Sequence, residues 1–439
     1  MKTPICDFVR SYIDRQPLRL HMPGHKGETY PADITEIGGA DSLYEASGII
    51  RESEQNASTL FGGHTYYSTE GSSHAIRAML YVTCVYANSR GEKPRVLAAR
   101  NAHKTFVNAA ALLDMDVEWF SGEGNSYLSC VSDMAAWEEV LCRVHPTAVY
   151  VTSPDYLGNT VDIAALAERC HRHGVLLLVD NAHGAYLKFL SPSRHPLDLG
   201  ADLCCDSAHK TLPVLTGGAY LHIAKTADPL FAQQAKTALS LFGSTSPSYL
   251  ILQSLDEANA YLADGYAEKL CVFSQKMAVF KRVLQQHGYA LAGDEPLKVT
   301  LCPKSYGYTG VELANYLEQH HIVCEFADPD FLVMMFTPEQ GEEVLCRVQT
   351  VLCALDKCEP IGDLPPVCAL PARICSPREA LFSPSETIAA SQSEGRVLAC
   401  ATVGCPPAVP LIVCGEKIDH ATVRAFAYYG IQTVQVIHK

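Results

Sequence analysis

The chain has 439 residues, 48% of them hydrophobic, which is enough for a large buried core and long enough for two or three domains. Its formal net charge of −14, with no run of Lys or Arg, excludes a phosphate-tracking nucleic-acid surface. Eighteen cysteines sit in apolar stretches such as "VTCVY" and "DLCCD" with no CxxC pair, as expected for small core residues in a reducing compartment and not for zinc ribbons or redox dithiols.

The N-terminal "MKTPICDFVRSYIDRQ" carries charges throughout, and no later run approaches the roughly 20 apolar residues that span a bilayer, so the expected location is the cytoplasm with no membrane partner. At 68–82, "STEGSSHAIRAMLYV" places a Gly-Ser pair directly before an apolar-periodic helix. From residue 95 a regular beat follows. "RVLAA", "DVEWF", "TAVYVT" and "VLLLV" read as strands, and "HKTFVNAAALLD", "SDMAAWEEVLCRV" and "DIAALAERCHRH" as the helices between them. That order implies an α/β fold with a parallel sheet covered on both faces, in which ligands gather at the carboxyl ends of the strands. Thr152, Asp180 and Lys210 all fall at such ends.

After "GSTSPSYL" one long helical stretch is expected to about Tyr289, capped by Ser246 or Ser248. "LKVTLC", "TGVELANYLEQH", "IVCEF", "FLVMMF" and "EEVLCRVQTVLCAL" then predict a small sheet with helices on one side. A Pro-rich linker at 359–377 leads into a last segment, "RVLACATVGCPPAVPLIVCGEKI".

The chemistry concentrates at "DSAHKTLP", residues 206–213. A nucleophilic lysine must be unprotonated often enough to attack a carbonyl, and it needs partners that orient what it binds. Asp180 ends the strand "GVLLLVD", where a carboxylate calls for a cationic partner. Pyridoxal phosphate would supply that cation at its pyridine nitrogen, and its aldehyde would join Lys210. Asp180 read alone fits equally a cap on the turn "NAHGAY". At a helix start Gly71 permits the close approach of a phosphate and Ser72 and Ser73 donate to it, although a Gly-Ser pair before a helix is also an ordinary cap.

"LHMPGHKG", "ADITEIGGADSL", "RNAHKT", "TSPDYLGNTVD", "VDNAHGAY", "SAHKTLPVLTGGAYLH" and "STSPSYL" occur in the same order as in the Orn/Lys/Arg decarboxylases, and the chain resembles the short bacterial arginine decarboxylases among them. The tail from "FSPSETIAASQSEG" to "VPLIVCGEKI" also resembles that family's C-terminal domain, so the likeness runs nearly full length. It implies a pyridoxal phosphate enzyme of fold type I, the aspartate aminotransferase type, with a mostly parallel central sheet and a smaller α+β C-terminal domain. The implied division is an N-terminal arm at 1–30, a cofactor-binding large domain at 31–290, a small α+β domain at 291–360 and a decarboxylase-type domain at 361–439.

Carried over residue by residue, the resemblance makes Lys210 the lysine that joins the cofactor, Asp180 the pyridinium partner and His183 a contact to the phenolic oxygen. Ser207 and His209 reach the phosphate from one side, and Gly71, Ser72 and Ser73 from the other. His103 stacks on the ring, and Lys210 or His209 returns a proton to Cα. The implied reaction is decarboxylation of a basic amino acid for polyamine synthesis, arginine before lysine or ornithine, in at least a homodimer whose 243–249 segment reaches a neighbour's phosphate. An aminotransferase or other lyase on the same fold, and an idle cofactor-binding protein, are the alternatives.

Three positions depart from the family pattern: Asp155 in "TSPDYLG", Tyr186 in "AHGAY" and the "STEGSS" sequence itself. Asp155 is a candidate acceptor for the distal charge of the substrate, since a carboxylate pairs bidentately with guanidinium. It is equally a turn residue bonding the backbone of "YLGN". No metal site is expected: His171/His173 and His320/His321 lie at helix ends, where cations suit the dipole. "CGEK" at 414–417 lacks phosphate-loop spacing; the resemblance would let His25 and Lys26 of "PGHKG" line the active site, although a turn built on Pro23, Gly24 and Gly27 explains that conformation without them.

Overall fold

Short fully apolar runs alternating with amphipathic ones build the first two-thirds of the chain in the computed structural model, which describes residues 1–121, 133–366, 369–404 and 410–438. The first residue of "SDMAAWEEVLCRV", part of the Pro-rich linker and "CPPAV" of the last segment lie outside the described residues. The chain divides into two units. One comprises Met1–Pro94, His145–Tyr150 and Ile163–Lys269, and the other Arg95–Val144, Val151–Asp162 and Leu270–Lys439.

The elements follow in chain order as α1 (Pro4–Asp14), α2 (Ile49–Phe61), β1 (His64–Ser68), α3 (Gly71–Ser89), β2 (Arg95–Ala99), α4 (Lys104–Leu112), β3 (Asp116–Phe120), α5 (Met134–Val144), β4 (Ala148–Thr152), α6 (Ile163–Arg172) and β5 (Leu176–Asp180). Next come β6 (Leu203–Asp206), α7 (Ala208–Thr211), β7 (Ala219–Ile223), α8 (Pro229–Phe242), α9 (Tyr249–Ala263) and α10 (Tyr266–His287). The strands and helices expected between residues 95 and 180 form within a few residues of their expected ends.

In the first unit the strands lie in the order β1, β7, β6, β5, β4. β5 and β6 run parallel, whereas β7 returns antiparallel to both β6 and β1. Every residue of β5, β6 and β7 is buried, which is why their sequences read as continuous apolar runs. Helix α6 buries Ile163, Leu166, Ala167 and Cys170, a spacing that gives one helical face. Helix α1 is docked by a side chain far along the chain: Asp256 Oδ2, on α9, accepts from the N–H groups of Ile5 and Cys6 at 2.9 and 3.0 Å. Those are orphan donors of the first turn, and burying them unpaired would be costly. The single long helix expected to Tyr289 is two helices, because Asp264 ends α9 and Gly265 takes φ +72° before α10 begins.

The second unit carries the parallel pair β2–β3 and a four-stranded sheet. That sheet contains β8 (Leu291–Ala292), β9 (Lys298–Leu301), β10 (Phe326–Ala327) and β11 (Leu332–Met335), with helices α11 (Gly310–Gln319) and α12 (Gly341–Ala354). A capping box, Thr309 with Glu312, starts α11 where the sequence places a helix. The "IVCEF" strand is shorter than expected, because Ile322 N–H still donates to Leu317 C=O at the end of α11 and His321 takes φ +58°. Helix α13 (Pro377–Leu381), strands β12 (Ser385–Ala389), β13 (Thr402–Gly404) and β14 (Pro410–Val413), helix α14 (His420–Tyr428) and strand β15 (Thr433–Ile437) complete the chain. "CGEK" has a structural use here. Glu416 takes both guanidinium nitrogens of Arg100, at the end of β2, at 2.7 Å each in a fully buried pair. No helix among the described residues is long and apolar enough to cross a membrane.

Candidate active site

The site is built at the carboxyl ends of two adjacent parallel strands in the first unit. β5 ends at Asp180 and turns through Asn181–Gly184, and β6 ends at Asp206 and turns through Ser207 into the single-turn helix α7. The two turns bring Lys210 Nζ to 3.0 Å from His183 Nε2. That contact lets the imidazole share a proton with the amine, as a lysine that must act as a nucleophile requires.

Asp180 is 2% exposed, and both of its oxygens are held. Oδ2 accepts from Tyr150 Oη at 3.1 Å, and Oδ1 accepts from Ala182 N–H at 3.2 Å with Cys205 Sγ at 3.6 Å. Burial pushes the Tyr150 hydroxyl and the Cys205 thiol far above their ordinary pKa values, so both remain protonated donors. The bond to Ala182 is the turn cap that the sequence allowed, and it leaves the carboxylate in one fixed plane for a cation. Tyr150 and Cys205 carried no sequence signal, because their role depends on lying on the strands that flank β5.

Opposite the lysine, the 19-residue helix α3 begins at Gly71, with φ +72°. Gly71 N–H donates to Gly217 C=O at 2.7 Å. Ser72 is buried and its hydroxyl meets that of Ser207 at 2.7 Å, so the two hydroxyls converge on one spot at the helix start. Ser73 follows on the first turn, half-buried. His209 Nδ1 lies 2.9 Å from Gly218 C=O, and its ring comes within 4.0 Å of where a Cβ on Gly71 would be. Burial lowers the His209 pKa, and the neighbouring Lys210 charge adds to that. A helix N-terminus with two convergent hydroxyls is an anion cradle. An amine, a buried carboxylate and an anion cradle within one unit fit the aldehyde, the pyridine nitrogen and the phosphate of pyridoxal phosphate.

Two candidates lie in the second unit. His103 is the exposed N-cap of α4, with Nδ1 accepting from Thr105 N–H at 3.2 Å. Asp155 is 2% exposed, and its carboxylate is occupied: Oδ1 accepts from Asn159 N–H and Oδ2 from the Asn159 side-chain amide, each at 2.9 Å. This is the turn arrangement rather than that of a charge presented to a ligand, and burial raises its pKa from 3.8 to about 6. Of the acids in the N-terminal segment, Asp41 is likewise taken up, accepting from the backbone N–H groups of Ser42, Ser47, Gly48 and Ile50 ahead of and within α2.

Residues 3–290 match the family model described as Orn/Lys/Arg decarboxylase, major domain. An uncharacterized protein of Bacillus subtilis is 28% identical over 97% of this chain and 93% of its own length. An arginine decarboxylase of Halalkalibacterium halodurans is 27% identical over 96% of this chain and 92% of its own. Among solved structures, lysine decarboxylase A from Pseudomonas aeruginosa superposes with a TM-score of 0.83 at 18% identity, covering 99% of this chain and 80% of that one, a likeness of fold. The chain therefore belongs to the Orn/Lys/Arg decarboxylase family and is a pyridoxal phosphate-dependent decarboxylase of the α/β type I fold.

Proposed function

We propose that the chain removes the α-carboxyl group of arginine to give agmatine, with lysine and ornithine as weaker substrates, in cytoplasmic polyamine synthesis. The observation that carries the chemistry is the Lys210–His183 contact beside the Ser72–Ser207 cradle. The preference for arginine is supported by full-length relatives that bear the name arginine decarboxylase.

Pyridoxal phosphate, when bound, supplies an electron sink for the pair released as the Cα–carboxylate bond breaks. The remaining work belongs to side chains. Lys210 offers its amine, with His183 as the nearby group that holds or returns its proton. Asp180 offers a carboxylate to the pyridine nitrogen, its plane set by Tyr150 and Ala182. Ser72, Ser73 and Ser207 donate to the phosphate and Gly71 permits its close approach, with His209 beside them. Lys210 or His209 delivers the proton that replaces carbon dioxide at Cα. By the resemblance, His103 would stack on the cofactor ring.

Three outcomes are expected. Lys210→Ala abolishes borohydride trapping of pyridoxal phosphate on the chain, measured by intact mass; trapping that persists in the variant would transfer the role to another lysine. Asp155→Asn leaves KM for arginine within about twofold, because the carboxylate is already engaged by Asn159. Its effect is on stability. A carboxyl raised from 3.8 to about 6 binds its proton more tightly when folded, so the unaltered protein loses stability as pH rises from about 4 to 6. The Asn variant lacks that component of the slope in thermal unfolding across the same window; a severalfold rise in KM instead would make Asp155 a substrate contact. Finally, activity is expected to fall on dilution in step with dissociation of an assembly of at least two copies, followed by light scattering; a fully active monomer at nanomolar concentration would contradict this.

A further inference from the structure

Beneath the two active-site turns of the first unit lies a cluster of ionisable side chains that the proposed reaction leaves unused. Asp206, His195 and His222 are all fully buried. Asp206 Oδ2 accepts from Nε2 of both histidines at 3.1 Å, and Oδ1 accepts from the Asn181 side-chain amide at 2.7 Å. The candidate ligand atoms of His195, Asp206 and His222 lie within 4.8 Å of one another, close enough to surround a cation.

The far ring nitrogen of His195 decides against that. A metal-ligating imidazole keeps its proton on the nitrogen away from the metal and donates it to an acceptor. Nδ1 of His195 faces the Leu197 backbone N–H at 3.4 Å, which can only donate, so Nδ1 accepts and the proton is on Nε2. Nδ1 of His222 meets the Thr65 hydroxyl at 2.9 Å, which can donate or accept, while Nε2 faces a carboxylate oxygen that can only accept. Both imidazoles thus point an N–H at Asp206. Burial lowers the His222 pKa, in keeping with a neutral ring. Burial alone would raise that of Asp206, but the two histidines facing it hold it well below the usual carboxylate range.

The third donor connects this cluster to the site. Asn181 stands between Asp180 and His183 and is fully buried. Its backbone N–H donates to Cys205 C=O at 3.0 Å, and its own C=O accepts from Gly184 N–H at 2.8 Å, closing the turn. A Cβ on Gly184 would lie 2.0 Å from Asn181 Oδ1, so this turn takes only glycine there while the amide keeps its place. At the other end Asp206 is followed by Ser207, whose hydroxyl meets Ser72. One carboxylate therefore touches both active-site turns, with its rotation blocked at both oxygens.

We propose that Asp206 is a positioning residue for the decarboxylase. Gripped by His195 and His222, it holds Asn181 and so sets the spacing between the turn that bears Asp180 and His183 and the turn that bears Ser207 and Lys210. The inference rests on Lys210 being the lysine that joins the cofactor.

The test is a double-mutant cycle with Asn181→Ala and Asp206→Ala, singly and together, each saturated with pyridoxal phosphate. The readouts are the rate of borohydride trapping at Lys210, kcat and KM separately, and the Tm of the cofactor-free protein. Each single variant is expected to lose at least tenfold in trapping rate and kcat with KM within about twofold, and the double variant to be no worse than Asp206→Ala alone, because the two act through one contact. If Asp206→Ala does not fold, Asn181→Ala, which keeps both imidazole bonds, carries the same expectation by itself. Variants that lower Tm yet trap and turn over like the unaltered protein would reduce the cluster to a structural role and overturn the proposal. A stoichiometric metal in the purified protein, with a chelator-dependent Tm, would overturn the hydrogen-bond assignment on which it stands. Trapping in the unaltered protein separates the two levels: its absence would remove Lys210 from the reaction, whereas its presence with unimpaired variants would remove Asp206 alone.

Discussion

Burying a carboxylate at the end of an apolar strand is unfavourable unless donors take the place of water, and the architecture of the first unit follows from meeting that requirement twice. Asp180 ends β5 and Asp206 ends β6, both buried. Asp180 draws on Tyr150 from one neighbouring strand, Cys205 from the other and the backbone of its own turn. Asp206 draws on two histidines and on the amide of the residue after Asp180. Each carboxylate is thereby fixed in orientation, and the two turns between them are spaced by hydrogen bonds rather than by loop length.

That arrangement leaves the reacting groups with little freedom of their own, as is needed when a bond must break in one plane relative to a cofactor ring. Lys210 sits on a single helical turn between two constrained points: Ser207, held to Ser72, and the Leu212–Gly218 loop. That loop presses on the start of α3, for a Cβ on Gly217 would come within 2.8 Å of Thr69 C=O. Glycine at 217 is thus a condition for that approach, and at 71 the φ of +72° favours glycine at the helix start. The second unit contributes its own buried ion pair, Arg100 with Glu416, which anchors the end of β2 three residues before His103.

Much of this was legible in the sequence where the signal is local. The strands and helices from residue 95 to 180 could be read because each is a short periodic run bounded by polar residues. Lys210, Asp180 and the Gly71–Ser73 helix start stood out because strand ends and helix starts are where such groups do chemistry. The signals that depend on register were not legible. Tyr150 faces Asp180 only because β4 lies beside β5, and His222 faces Asp206 only because β7 folds back antiparallel, bringing both to one face. His195 arrives from a loop between β5 and β6. Asp155 reads ambiguously for a different reason: a carboxylate after Pro looks the same in sequence whether it meets a ligand or an amide four residues on, and here it meets Asn159.

The central claim is that these groups together break a Cα–carboxylate bond in a basic amino acid. Its most direct test is the release of carbon dioxide from arginine, lysine and ornithine by the protein loaded with pyridoxal phosphate, with the organic product identified in the same sample. The account predicts one equivalent of amine for each carbon dioxide, fastest with arginine and giving agmatine. Consumption of the amino acid to a keto acid without carbon dioxide, or no turnover of any of the three despite cofactor bound at Lys210, would contradict it.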